Sequence, residues 1–175
     1  MTIIAYYDGM LIADRKSIIR DDSCHAEIVT EETKIFTSPC GRYACGVVGR
    51  VKTQKEMDLI IPALAEKILD PKPNIEFSDD VKRVMANEHT GYVFISRSQI
   101  AVFTHAEMRF IPNGVPVFTG SGGYLAKGHF LSGKSLLKSV EFAVGIDNLC
   151  GKNLDKINCK PLFKKDIAMA KRKAT

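Results

Sequence analysis

The chain has 175 residues, of which 45% are hydrophobic and 26% are charged, and its formal net charge is +5. This length fits one domain with a sizeable core, and the composition is typical of a globular protein. No apolar run reaches the roughly 18 residues of a membrane-spanning helix, and the letters YYDG interrupt any signal-peptide core near the start. We therefore expect one cytoplasmic domain, residues 1–163, followed by a basic tail, residues 164–175.

Strand signals dominate the first fifty residues. TIIAYY is rich in β-branched and aromatic residues, Asp8-Gly9 is a strong two-residue turn, and MLIADR returns as the second strand of a hairpin. Residues 16–33 are polar, and we expect them to be irregular apart from a short strand at AEIVT. KIFTS, the turn PCGR and YACGVVG predict a second hairpin.

Helical signals begin after Lys52. Six apolar residues between Met57 and Ile68 recur at spacings of three and four, which predicts an amphipathic helix that DPKP ends. SDDVKRVMANE predicts a second, weaker helix with Ser78 as its N-cap.

The remaining elements alternate again between strands and helices. TGYVFISR, QIAVFTH and EMRFIP predict a meander, and VPVFTGSGG predicts a strand that turns sharply. GYLAKGHFL and SLLKSVEFAVGI predict two helices separated by Gly133, and DNLCGKNLDKINCKPL predicts a turn and a last short strand. This order favours an α+β fold in which two sheets pack face to face between pairs of helices.

Cysteines and the basic tail give little functional information. The five cysteines form no CxxC pair and no Cys/His set with zinc-ligand spacing, so we expect reduced thiols and no metal. The last twelve residues carry five Lys/Arg and one Asp. They could bind an acidic partner or form a solvated terminus, and the absence of interleaved aromatic residues disfavours a nucleic-acid partner.

Three residues near the start could carry chemistry. If Met1 is removed, Thr2 has a hydroxyl nucleophile and an α-amine base on one residue, because a free α-amine has a pKa of about 7.7–8.0. A buried Lys34 would lower the pKa of that amine and stabilise an alkoxide, and Asp14 could keep the lysine charged. The alternative is that all three are ordinary residues at strand ends.

The segment TGSGG, residues 119–123, places Ser121 at a strand-to-helix turn. Its glycines permit a tight backbone and expose N–H groups at a helix start. The segment matches neither a nucleophile elbow nor a P-loop, and an ordinary turn is an equally good interpretation.

In chain order, Thr2, the AD of Asp14, the TKI around Lys34, CGVVG, GSGG and DNLCG resemble the motifs of N-terminal nucleophile hydrolases. The resemblance is greatest to proteasome β-subunits and their bacterial HslV-type relatives, including short phage-encoded proteasome-like proteins. It covers roughly residues 2–160 and implies a four-layer αββα sandwich.

The resemblance also implies a role for each matching residue. Thr2 would be the nucleophile, Lys34 would tune its amine, Asp14 would pair with Lys34, and Gly49 would supply an oxyanion-hole N–H. The polar group near the amine would consist of Ser121, Asp147 and Cys150, where Cys150 stands in place of the family's usual serine.

Two functions remain open from the sequence. The first is a proteasome-like threonine peptidase that acts on peptides or proteins without a metal or cofactor. The second is a catalytically inactive assembly or scaffold protein of the same fold, encoded by a phage. The resemblance implies a homo-oligomer, and any ATPase partner must be a separate chain because no ATPase motif is present. The stripe on the Met57–Ile68 helix could be a contact between copies or ordinary core.

Overall fold

The computed structural model describes residues 2–21, 26–50, 52–69, 76–86, 90–104, 107–148 and 150–160, with backbone alone at 19–21 and 26–28. Within these ranges the chain forms eleven strands and four helices, whose order agrees with the sequence prediction apart from the third strand. The strands are β1 Ile4–Tyr7, β2 Met10–Asp14, β3 Lys16–Asp21, β4 Ala26–Glu31, β5 Ile35–Thr37, β6 Ala44–Val48, β7 Gly91–Ile95, β8 Ile100–Phe103, β9 Met108–Ile111, β10 Val117–Thr119 and β11 Leu154–Asn158. The helices are α1 Gln54–Leu69, α2 Asp79–Met85, α3 Gly123–Leu131 and α4 Leu136–Ile146.

Two antiparallel sheets form the centre of the molecule. One has four strands in the order β10-β1-β2-β11, and the other has five in the order β5-β6-β7-β8-β9. The first hairpin pairs Tyr7 with Met10 across Asp8 and Gly9, which both have positive φ, as a type I′ turn requires. The predicted hairpins and meander are therefore confirmed, and β1 lies inside its sheet between β10 and β2.

The side-chain alternation of β1 shows how the layers stack. Ile3 and Ala5 face a cluster that contains residues of α3 and α4, whereas Ile4 and Tyr6 face the five-stranded sheet. Because successive residues of a strand point to opposite faces, the four-stranded sheet is buried on both sides. The predicted α+β sandwich of helices, sheet, sheet and helices is confirmed.

Helix α1 covers the outer face of the five-stranded sheet. Thr53 and Glu56 form a capping box at its start, with the Thr53 N–H donating to Glu56 Oε2 at 2.7 Å. All six residues of its apolar stripe are buried against the sheet. The stripe is therefore core rather than a free contact surface, and Ser78 caps α2 as predicted.

One prediction was wrong. Residues 16–33 are not largely irregular, because β3 and β4 pair along six residues as a two-stranded antiparallel sheet. Charged residues at both ends of KSIIRD hid the strand pattern, and the pairing with β4 satisfies the backbone in spite of them. The DPKP stop signal and the tail 164–175 lie outside the described residues.

Candidate functional site

Thr2 lies buried at the start of β1, against the turn that follows β10. Its side chain and backbone are 3% exposed in total. A Cβ on Gly120 would lie 1.7 Å from the Thr2 carbonyl oxygen, and Gly120 has a φ of 88°. Glycine is therefore required at Gly120 for both space and backbone conformation, and the TGSGG turn packs directly on Thr2.

The Asp14 carboxylate is the centre of the site. It is fully buried at the end of β2 and accepts four hydrogen bonds. Oδ1 accepts the Ile3 N–H at 2.8 Å and the Lys34 ammonium at 3.1 Å. Oδ2 accepts the Gly151 N–H at 2.9 Å and the Lys16 N–H at 3.2 Å. A buried carboxylate needs such donors, and these come from four separate segments of the chain.

Lys34 precedes β5 and is 2% exposed. Its ammonium donates to Asp14 and, at 2.5 Å, to the carbonyl oxygen of Lys16. Burial lowers the pKa of Lys34, and the negative charge of Asp14 opposes this shift without cancelling it. The predicted contact between Lys34 and Asp14 is confirmed.

Thr2 is close to this ion pair through its neighbour Ile3. The Ile3 nitrogen and the Lys34 Nζ share one oxygen of Asp14, so these two nitrogens lie within about 6 Å of each other. The Ile3 nitrogen is bonded directly to the carbonyl carbon of Thr2. The peptide bond between Thr2 and Ile3 therefore lies against the Asp14–Lys34 pair. The predicted closeness of Lys34 to the Thr2 amine stays a prediction.

Ser121, Asp147 and Cys150 come together from two elements. The Ser121 hydroxyl and the Cys150 thiol both donate to Asp147 Oδ2, each at 3.3 Å. Burial raises the pKa of Cys150 to about 12, and donation to Asp147 adds to the effect. A Cβ on Gly122 would lie 3.1 Å from the Cys150 sulfur and 2.4 Å from the Ile3 side chain, so this group borders the start of β1.

Gly49 follows β6 and has a φ of 97°, a conformation that favours glycine. Two residues earlier, the Val47 N–H donates to the Lys34 carbonyl oxygen at 2.9 Å. Gly49 therefore follows the strand that pairs with β5, and Lys34 directly precedes β5. Its role as an oxyanion-hole donor stays a prediction.

Sequence reasoning missed the contributions of Lys16 and Gly151 to this site. Lys16 offers its backbone N–H and carbonyl, which carry no side-chain signature. Gly151 stands in the DNLCG motif without an assigned role, yet a Cβ there would lie 2.7 Å from the Lys16 nitrogen. Only the tertiary packing reveals why that position is glycine.

The described residues contain no group of three or more His, Cys, Asp or Glu side chains arranged to hold a metal ion. None of the helices described is both long and apolar enough to cross a membrane.

A cavity of about 560 Å³ lies elsewhere, under α1 and α2. Its lining includes Phe77, Tyr92 and Phe103 and none of the predicted site residues. We assign the candidate site to the Asp14 region because the ion pair and the polar group lie there.

Comparisons with known proteins identify the fold. No family model matches the sequence, and no curated protein matches it. HslV from Trypanosoma brucei matches in structure with a TM-score of 0.57 at 14% identity, over 90% of this chain and 98% of that one. The Anbu complex from Pseudomonas aeruginosa matches with a TM-score of 0.59 at 12% identity, over 99% of this chain and 92% of that one.

The chain has a proteasome-like fold. A third match is Thiobacillus denitrificans BPH, solved in complex with epoxomicin, with a TM-score of 0.51 at 9% identity over 91% of this chain and 99% of that one. At these identities the likeness establishes the proteasome-like fold alone. The chemistry of this chain has to be argued from its own residues.

Proposed function

We propose that this protein is a threonine-type amidohydrolase, most specifically a peptidase, with Thr2 as its N-terminal nucleophile after removal of Met1. The observation that carries the proposal is the shared oxygen of Asp14. This oxygen binds both the Ile3 N–H and the Lys34 ammonium, so the peptide bond between Thr2 and Ile3 lies beside a buried ion pair. HslV has the same fold, which supports a proteolytic role without establishing it.

In the proposed reaction, the Thr2 hydroxyl attacks the carbonyl carbon of a peptide bond. Its proton passes to the Thr2 α-amine and then to the leaving amine, and an ester forms on Thr2 Oγ. Water then attacks the ester, which releases the acid and restores the hydroxyl. The Gly49 N–H would bind the oxyanion in both steps.

The Lys34 ammonium would act through its charge. A cation beside the α-amine disfavours protonation of that amine and so keeps its pKa at or below about 7.7–8.0. Asp14 and the Lys16 carbonyl hold the ammonium in place. Arginine could not replace Lys34, because its planar fork does not fit acceptors arranged for one compact ammonium.

Ser121, Asp147 and Cys150 would orient the α-amine. One oxygen of Asp147 accepts hydrogen bonds from both Ser121 and Cys150, so these three side chains form a polar group next to the start of β1. The raised pKa of Cys150 keeps its thiol protonated near neutral pH, so Cys150 is a hydrogen-bond donor and not a competing nucleophile.

We further propose that the protein assembles with copies of itself and that any ATPase partner is a separate chain. Anbu was solved as a helical assembly, which supports self-association of this fold. The buried stripe of α1 is used by the core and is not the interface. Native mass spectrometry measures the number of copies directly, and a strictly monomeric protein would contradict this part of the proposal.

The deciding experiment compares two forms of the protein with a threonine-directed epoxyketone. One form begins at Thr2, produced by cleaving an N-terminal fusion, and the other retains Met1. Intact mass should show one adduct on the form that begins at Thr2 and none on the other, because an amide nitrogen has no basic lone pair.

Two variants serve as matched controls. Thr2→Ser keeps a hydroxyl and an amine and should be labelled, whereas Thr2→Ala should not. Equal labelling of the Met1 form would exclude the proposed mechanism. A folded Thr2 form that is never labelled would favour the catalytically inactive scaffold protein instead.

A further inference from the structure

Lys16 contacts the Asp14–Lys34 pair through its backbone and the turn after α4 through its side chain. The proposed chemistry does not use this side chain. Its backbone N–H donates to Asp14, and its backbone carbonyl accepts from Lys34. Its own ammonium reaches in another direction and donates to the carbonyl oxygen of Asn148 at 2.5 Å. The backbone and the side chain of this residue therefore contact different segments.

Asn148 belongs to the turn that follows α4. Asp147 is the C-cap of α4, and the Cys150 N–H donates back to the Asp147 carbonyl at 3.0 Å. The same turn supplies two members of the polar group, namely Asp147 and Cys150. Its position relative to Asp14 therefore fixes where that polar group lies relative to the start of β1.

Two bonds tie this turn to the corner between β2 and β3. The Gly151 N–H donates to Asp14 on one side of the turn, and the Lys16 ammonium binds Asn148 on the other. A carbonyl just beyond a helix C-terminus is a favourable partner for a cation, because the helix dipole places partial negative charge there. The contact thus has a physical reason beyond proximity.

We propose that Lys16 is a positioning residue whose side chain holds Asn148, and with it Asp147 and Cys150 of the same turn, against the Asp14–Lys34 pair. Its role in catalysis rests on the proposed function, whereas its hold on the turn does not. Loss of the ammonium would remove one of the two hydrogen bonds described above between the turn and this corner, so the turn would open more often without global unfolding.

The thiol of Cys150 reports on this turn directly. It is 5% exposed in the closed structure, so alkylation requires the turn to open. Lys16→Met removes only the ammonium and keeps both backbone contacts to Asp14 and Lys34. We expect Cys150 of Lys16→Met to react with iodoacetamide about three- to tenfold faster than in the parent protein, corresponding to one lost hydrogen bond.

Internal and matched controls separate local opening from unfolding. Cys45 and Cys159 are fully buried elsewhere, and their alkylation rates should not change. Lys138→Met removes an exposed lysine from α4 and should leave the Cys150 rate unaltered. Lys16→Arg keeps a cationic donor and should restore most of the protection.

An unchanged Cys150 rate in Lys16→Met, or equal acceleration at all three cysteines, would overturn the proposal. Epoxyketone labelling of the form that begins at Thr2 tests the catalytic part separately. There we expect Lys16→Met to slow labelling several-fold and Lys16→Arg to restore it. If the parent protein is not labelled at all, the proposed function fails, while the Cys150 rates still decide the role of Lys16.

Discussion

Removal of the Asp14 carboxylate should destabilise the protein far more than removal of its lysine partner. Asp14→Ala leaves a buried ammonium with the Lys16 carbonyl as its remaining partner among the described residues, and it leaves three backbone N–H groups without their acceptor. Removing one member of a buried ion pair costs about 3–5 kcal/mol. For a chain of this length, that corresponds to a fall in Tm of roughly 6–20 °C.

Lys34→Met removes the other member at a lower cost. Its Asp14 partner keeps all three backbone N–H donors, and burial already opposes the charged form of Lys34, as its lowered pKa shows. We therefore expect a loss in unfolding free energy less than half of that for Asp14→Ala. The double variant should lose less than the sum of the single losses, with a coupling of about 0.5–3 kcal/mol.

Thermal unfolding followed by circular dichroism, together with urea midpoints, measures these differences. Glu76→Gln is a suitable control, because it breaks the exposed Glu76–Lys82 pair and should leave Tm unchanged. The reasoning is wrong if Asp14→Ala costs less than about 1 kcal/mol, or if the two single losses simply add.

Three further predictions concern activity, alkaline stability and an unpartnered hydroxyl. In the form that begins at Thr2, Lys34→Ala and Lys34→Arg should each lower kcat/KM for the cleavage of small peptide amides at least 100-fold. Near-normal activity of Lys34→Arg would refute the charge-tuning role of Lys34. The pKa of Cys150 is raised to about 12 in the folded state, against about 8.5 in the unfolded chain. The protonated thiol therefore contributes its full stabilisation below about pH 8.5, and this contribution is lost as the pH rises from about 8.5 towards 12. Cys150→Ser should therefore show a smaller fall in Tm between pH 8 and 10, and an identical fall would contradict this assignment. The buried Tyr92 hydroxyl has no hydrogen-bond partner within the described ranges, so Tyr92→Phe should leave Tm unchanged or raise it, whereas a drop of several degrees would mean that the hydroxyl is bonded.

Most of the fold could be predicted from the sequence because its elements are encoded locally. The Asp8-Gly9 turn specifies its hairpin through positive φ angles, and the three-and-four spacing of α1 specifies its buried face. The strand at AEIVT was predicted, but β3 and its pairing with β4 were missed because the strand signals of β3 are weak and its stability comes from pairing. Where the hydrophobic periodicity and the turn residues indicate the same structure, the local sequence therefore determined which segments are strands and which are helices.

Within the candidate site, the sequence determined the residue types and their order, and the resemblance to a family connected Thr2, Asp14 and Lys34. The tertiary structure decided how they are held. The four donors on Asp14 come from residues 3, 16, 34 and 151, and three of them are backbone N–H groups, which every residue other than proline carries. No pattern of side chains can reveal such contacts, because only burial of the carboxylate makes it necessary to gather donors from distant parts of the chain.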